Sequence, residues 1–137
     1  MKTFYLLFYD FCCQKKYRKD IRVICEWLDI PTPNRLIFFP DKIKRRNCRG
    51  EYHFKSGIIL IFVPDFLFRT HSEFVVETIA HELIHCYQNS LGIDMSETEI
   101  VEKSAEALTN SFMEDLRNQH VARGAVREYI SQTAGGR

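Results

Sequence analysis

The chain has 137 residues, 45% hydrophobic and 27% charged, with a formal net charge of +1. That length supports one domain burying a single core without staples, and the near-neutral balance gives no whole-molecule electrostatic case for nucleic acid or membrane. The five cysteines, Cys12, Cys13, Cys25, Cys48 and Cys86, are odd in number, form no CxxC pair and lack zinc-ribbon spacing, so reduced thiols in a cytoplasmic protein are expected.

Residues 3–9 are aromatic and aliphatic without a turn residue, which predicts a first strand covered on both faces. The run is cut by Asp10, is too short to span a bilayer and has no small-residue cleavage site after it, so neither a signal peptide nor a membrane contact is expected. From Asp10 to Asp29 the positions Cys13, Tyr17, Ile21, Ile24, Cys25 and Leu28 recur at helical spacing, with Lys15, Lys16, Arg18, Lys19 and Arg22 largely outside that stripe. Pro31 and Pro33 end this amphipathic helix.

Leu36-Ile37-Phe38-Phe39 predicts a short buried strand closed by Pro40. In residues 42–49, Lys42, Lys44, Arg45, Arg46 and Arg49 stand together without interleaved aromatic residues, which favours a solvated loop over a phosphate-binding patch. Residues 50–57 alternate like an exposed strand, and Ile58 to Val63 is the strongest strand signal; Ser56-Gly57 marks the turn of a hairpin between them.

After Pro64 the pattern is helical. Thr70-x-x-Glu73 has the form of a capping box opening a helix to about Leu91, with Gly92 as its stop, and Ser96-x-x-Glu99 opens a second helix to about Asn118. A short helical segment at Val126 to Ile130 and a frayed end complete a partly helical or disordered tail over residues 119–137, beside a single domain over residues 1–118.

The first of these helices contains His81-Glu82-Leu83-Ile84-His85, a His-Glu-x-x-His motif. Histidines four residues apart stack on one helical face and can close on one metal ion, while Glu82, next to the first, is placed to act on water as a general base. On a wheel, Val76, Ile79, Leu83 and Tyr87 form the core face; His81, His85, Thr78 and Gln88 fall on the other side, so something else must cover them. The isolated His53, His71 and His120 suit hydrogen-bonded core positions. Catalytic zinc needs a third protein ligand. Val101, Ala105, Leu108, Phe112 and Leu116 make the packing stripe of the next helix. Glu102 lies at its shoulder, Glu106 further out and Glu99 on the far side. Glu102 is the preferred ligand, with Glu106 in reserve, and Ala105 is small enough to let the helices approach.

His81-Glu82-x-x-His85, sixteen residues, then Glu102-Lys103-Ser104-Ala105 resembles the gluzincin pattern of HExxH followed by ExxA, as in compact ImmA/IrrE-type metallopeptidases and related zincin-like proteins of phages and mobile elements. The resemblance covers residues 50–118. Glu106-Ala107-Leu108-Thr109 departs from that family's Asn-x-Phe-Ala run, and no helix-turn-helix is evident. It implies an α+β, compact zincin-like domain: a small, mostly antiparallel sheet with an N-terminal helix, the motif helix and the glutamate helix. It further implies one Zn²⁺ held by His81, His85 and Glu102, and peptide hydrolysis with Glu82 as general base. Residues 58–63 would pair with extended substrate, and His53, His71, Tyr52 or Tyr87 would steady the oxyanion. The expected partner is a protein or peptide substrate, in its narrowest form one specific intracellular protein, without membrane or nucleic acid. The alternative is a non-catalytic zincin scaffold that binds or regulates, with a structural or vestigial metal site.

Overall fold

A computed structural model describes residues 2–41, 50–64 and 70–135, with side chains at 3–40, 50–64 and 70–119. The basic stretch 42–49 and the side chain of His120 lie outside the described residues. The order is α1 (Lys2–Leu28), β1 (Leu36–Asp41), β2 (Gly50–His53), β3 (Ile58–Pro64), α2 (Glu73–Ser90) and α3 (Thr98–Gly135).

The chain begins with a helix, not with a strand. An unbroken apolar run has no period and cannot by itself distinguish the two. Here Tyr9 continues the stripe of Cys13, Tyr17, Ile21, Ile24, Cys25 and Leu28 one turn towards the N-terminus, and all seven are buried. The Tyr9 hydroxyl donates to the Val63 carbonyl at 2.9 Å, fixing α1 to β3. Ser72 N–H donates to the Tyr17 hydroxyl at 3.2 Å, fixing it to the start of α2. The helix stops at Leu28 because Asp29 takes φ 55°, with Asp29 N–H on Glu26 O at 3.2 Å and Ile30 N–H on Cys25 O at 3.0 Å. This is a Schellman closure with aspartate where glycine is usual.

The sheet has three strands in the order β1-β3-β2. It is mixed, not mostly antiparallel: β1 runs parallel to β3, with Leu36 opposite Ile59, and only β2 runs antiparallel, with His53 opposite Ile58. The β2–β3 hairpin turns through residues 54–57, with Gly57 at φ 76°. Ile59, Ile61 and Val63 of β3 face the helices and are fully buried, whereas Ile58, Leu60 and Phe62 on the other face are half-covered. The two outer edges differ. Asp10 Oδ1 accepts the Phe38 N–H at 2.8 Å and Gln14 Nε2 donates to Leu36 O, so α1 occupies the free edge of β1. Among the described residues β2 pairs only with β3.

α2 packs against α1, the sheet and α3. Its buried set therefore extends beyond one stripe: Val75, Val76, Ile79, Ala80, Leu83 and Ile84 are joined by Glu82, His85 and Gln88. Gly92 ends it as the sequence predicts, at φ 79°, with Ile93 N–H on Gln88 O at 3.2 Å. Neither predicted capping box forms. α2 starts at Glu73 behind Ser72, which makes no side-chain cap bond, and the Ser96 hydroxyl turns back to Asp94 Oδ1 at 2.6 Å while α3 starts at Thr98. A tertiary contact holds the start of α2 instead, with Arg117 donating to Glu73 at 2.8 Å, while further along α3 Trp27, edge-on to Phe112, donates to Asp115 at 3.0 Å. The backbone of α3 continues past Asn118 and Gly124 to Gly135. A glycine within a helix weakens it but need not end it.

Candidate metal centre

Helical spacing sets the first two groups. His81 and His85 lie one turn apart on the side of α2 that faces α3, with ring centroids 4.8 Å apart and planes at 85°. Ala105, fully buried, lets the helices close, and Glu102, one turn earlier on α3, reaches across. His81 Nε2 lies 3.1 Å from Glu102 Oε2, His85 Nε2 lies 3.0 Å from Glu102 Oε1, and the two Nε2 atoms are 3.2 Å apart. Nitrogens at 2.0–2.1 Å from a tetrahedral zinc are about 3.3 Å from each other. The spacing is that of a ligand set. Among the described residues this is the group of three that could hold a metal ion.

Hydrogen bonds on the far sides of the rings decide which nitrogens carry protons. His85 Nδ1 is 2.8 Å from Gln88 Oε1, and the amide of Gln88 is oriented by its Nε2 donating to Val101 O at 3.0 Å. Gln88 therefore accepts, His85 Nδ1 donates, and His85 Nε2 is left as a bare lone pair. Thr109 Oγ1 donates to Ala105 O at 2.7 Å, so towards His81 Nδ1, at 3.4 Å, it is an acceptor as well. Both Nε2 atoms thus direct lone pairs at each other and at a carboxylate. That arrangement is repulsive unless a cation lies between them, so the donor set fits zinc. Burial also holds the pKa of His85 below the usual histidine range, which outweighs the opposing pull of Gln88 and Glu102 and keeps the ring in its neutral, ligating form.

Glu82 lies between the histidines in sequence and beside the triad in space. It is 6% exposed, and no hydrogen bond from the described residues reaches its carboxylate. Burial first, then the charges of Glu102 and Glu51, push its pKa up to about 8. A divalent cation at the triad acts in the opposite direction. Gly50, at the start of β2, packs directly on it: a Cβ there would stand 2.7 Å from Glu82 Cγ. Glycine is required by this close approach.

Two clefts meet at the triad. One, between α2 and α3, is lined by Glu77, Glu82, Glu102 and Glu106 with Thr78 and Asn110, and among the described residues no lysine or arginine lines it. The other, along β2, is lined by Glu51, Tyr52, His53, Phe54, His85 and Met95. Glu106, the reserve ligand, borders the first cleft but is outside the triad. Of the oxyanion candidates, Tyr52 and His53 border the second cleft. His71 lines a separate groove, paired with Asp20 at 2.9 Å and against Tyr17, and Tyr87 packs on the core. His53 and His71 are exposed and paired with Glu51 and Asp20, not buried in the core. The strand expected to meet substrate, β3, is central and paired on both sides, so β2 supplies the edge beside the site.

Sequence reasoning did not single out Gln88, Thr109 and Gly50. The signal for Gln88 was present, since it shares the helical face of the two histidines. Nothing local marks the other two, whose roles arise from contacts across elements. No family model matches the chain, and no curated protein or solved structure matches it either.

Proposed function

We infer that the protein is a zinc-dependent metallopeptidase. The observation that carries this reading is the convergence of two bare Nε2 atoms and the Glu102 carboxylate at 3.0–3.2 Å. Beside them, Glu82 is buried and without a hydrogen-bond partner among the described residues. His81, His85 and Glu102 would hold the zinc, which would supply Lewis acidity towards a peptide carbonyl and a lowered pKa for water. Glu82 takes the proton from the attacking water on its carboxylate and returns it to the leaving amine. Its position suits both steps, since it adjoins His81 in sequence and borders both clefts that meet at the triad. β2, Gly50 to His53, runs beside the site and is the strand along which an extended substrate would lie.

Zinc analysis of the purified protein should give about one equivalent per chain. The His81→Ala/His85→Ala and Glu102→Ala variants should lose it and Glu106→Ala should keep it. With zinc bound, Glu82→Gln should retain the metal and lose hydrolysis of a peptide mixture scored by mass spectrometry. A native chain that takes up no zinc overturns the metal centre. A zinc-loaded chain as inert as Glu82→Gln overturns the peptidase and leaves a binding scaffold.

A further inference from the structure

The N-terminal run changes meaning once it is a helix. Thr3 to Phe8 are exposed on every side of α1, so its first two turns project from the body. Phe4 is 76% exposed, Leu7 66%, Phe8 54% and Phe11 63%. Phe4, Leu7, Phe8 and Phe11 fall, at roughly 100° per residue, on the side of the helix opposite the Tyr9–Leu28 stripe. The same face continues with Lys15, Arg18, Lys19 and Arg22, all exposed. No acid lies on it between residues 4 and 22, and none of the four cations is paired with an acid among the described residues. One helix face is thus apolar and aromatic along its first half and cationic along its second.

We propose that this outer face of α1 docks on an anionic lipid surface. The aromatic and leucine side chains enter the headgroup–acyl boundary while the lysines and arginines meet lipid phosphates and carboxylates, the arrangement of an interfacial amphipathic helix. Charge discriminates against the other occupants. Two copies of α1 side by side in parallel would set four cations against four. In antiparallel pairing the cations of one copy would lie along the rings of the other, with no anion for them. A nucleic acid would neutralise the basic half only and leave the apolar half in water. A bilayer surface accommodates both halves at once, and needs no membrane-crossing segment: among the described residues no helix is long and apolar enough to be one.

The test is sedimentation of the full chain with vesicles of phosphatidylcholine, with and without phosphatidylserine. The wild-type protein should partition onto the phosphatidylserine vesicles, weakly or not at all onto phosphatidylcholine alone, and should be released by high salt. Either Phe4→Ser/Leu7→Ser/Phe8→Ser/Phe11→Ser or Lys15→Glu/Arg18→Glu/Arg22→Glu should lower partitioning at least about tenfold. Zinc content and circular dichroism should stay unchanged, since every substituted side chain is in solvent. Failure of the wild-type chain to bind phosphatidylserine vesicles overturns the proposal. So does binding that both variants keep, or self-association that the serine variant abolishes in the absence of lipid.

Discussion

At the scale of single residues, the centre depends on groups that never touch a metal. Gln88 accepts from His85 and donates to Val101, so one buried amide sets a tautomer and ties α2 to α3. Gln88→Ala should weaken zinc binding by about 10–100-fold in competition with a chelating dye. The same change should cost the metal-free protein about 1–3 kcal/mol in denaturant titration, because a buried N–H donor and carbonyl lose their partners. Glu82 predicts a pH dependence with a definite sign. In the metal-free protein its folded pKa of about 8 stands above the ordinary 4.5. The folded chain therefore binds more protons than the unfolded one between those values, and stability falls as pH rises from 4.5 to 8, by no more than about 4 kcal/mol. His85 works at lower pH and in the other direction, its depressed pKa making stability fall as pH drops below 6.5. Glu82→Gln should remove the first slope and keep the second, as read from chemical denaturation across pH. A metal-free wild type with flat stability between pH 6.5 and 8, above the range in which His85 acts, would exclude the proposed environment of Glu82.

At the scale of elements, boundaries are settled by particular hydrogen bonds, some local and some from elsewhere in the fold, and not by the capping letters alone. The end of α1 is a case in point. Asp29 at φ 55° closes a hydrogen-bond pattern that glycine closes without steric cost. Asp29→Gly should raise stability by about 0.5–1 kcal/mol, measured by denaturant midpoint, despite the extra freedom glycine brings to the unfolded chain. The starts of α2 and α3 make the same point in reverse. Both carry the letters of a capping box, but Tyr17, Arg117 and Asp94 hold those turns by other bonds. The sheet edges follow from the same interplay: Asp10 and Gln14 occupy the edge of β1, and the remaining edge, β2, is the one beside Glu82.

For the whole molecule, a metal at the triad would couple α2 to α3, helices already joined by Arg117 on Glu73 and braced by Trp27 of α1 on Asp115. Zinc bound to the folded chain alone should stabilise it by about 2.7 kcal/mol at a free concentration one hundred times Kd. Thermal melts should show this as a rise of a few degrees, reversed by chelator and absent in His81→Ala/His85→Ala; an unchanged midpoint would argue that no metal links the helices. Cys13 and Cys25 do not compete for this role, since they are buried with pKa values pushed up to about 11, mainly by burial.

The sequence by itself determined the features that depend on spacing within one element. The i, i+4 histidines, Glu82 beside them, Gln88 on their face, the β2–β3 turn at Ser56-Gly57 and the Gly92 stop are all statements about one helix or one hairpin. It also placed Glu102 at the shoulder of its helix, because the packing stripe of α3 is periodic. Tertiary structure decided what periodicity cannot express. Residues 3–9 have no period, and the Tyr9 bond to β3 accompanies their choice of helix. Parallel pairing of β1 with β3 joins residues more than twenty apart in the chain, so no local pattern announces it. The preference for Glu102 over Glu106 at the triad depends on where α3 crosses α2. The physical reason is common to all three: helical and turn propensities act over a few residues, whereas edges, crossings and clefts are set by which apolar faces find each other.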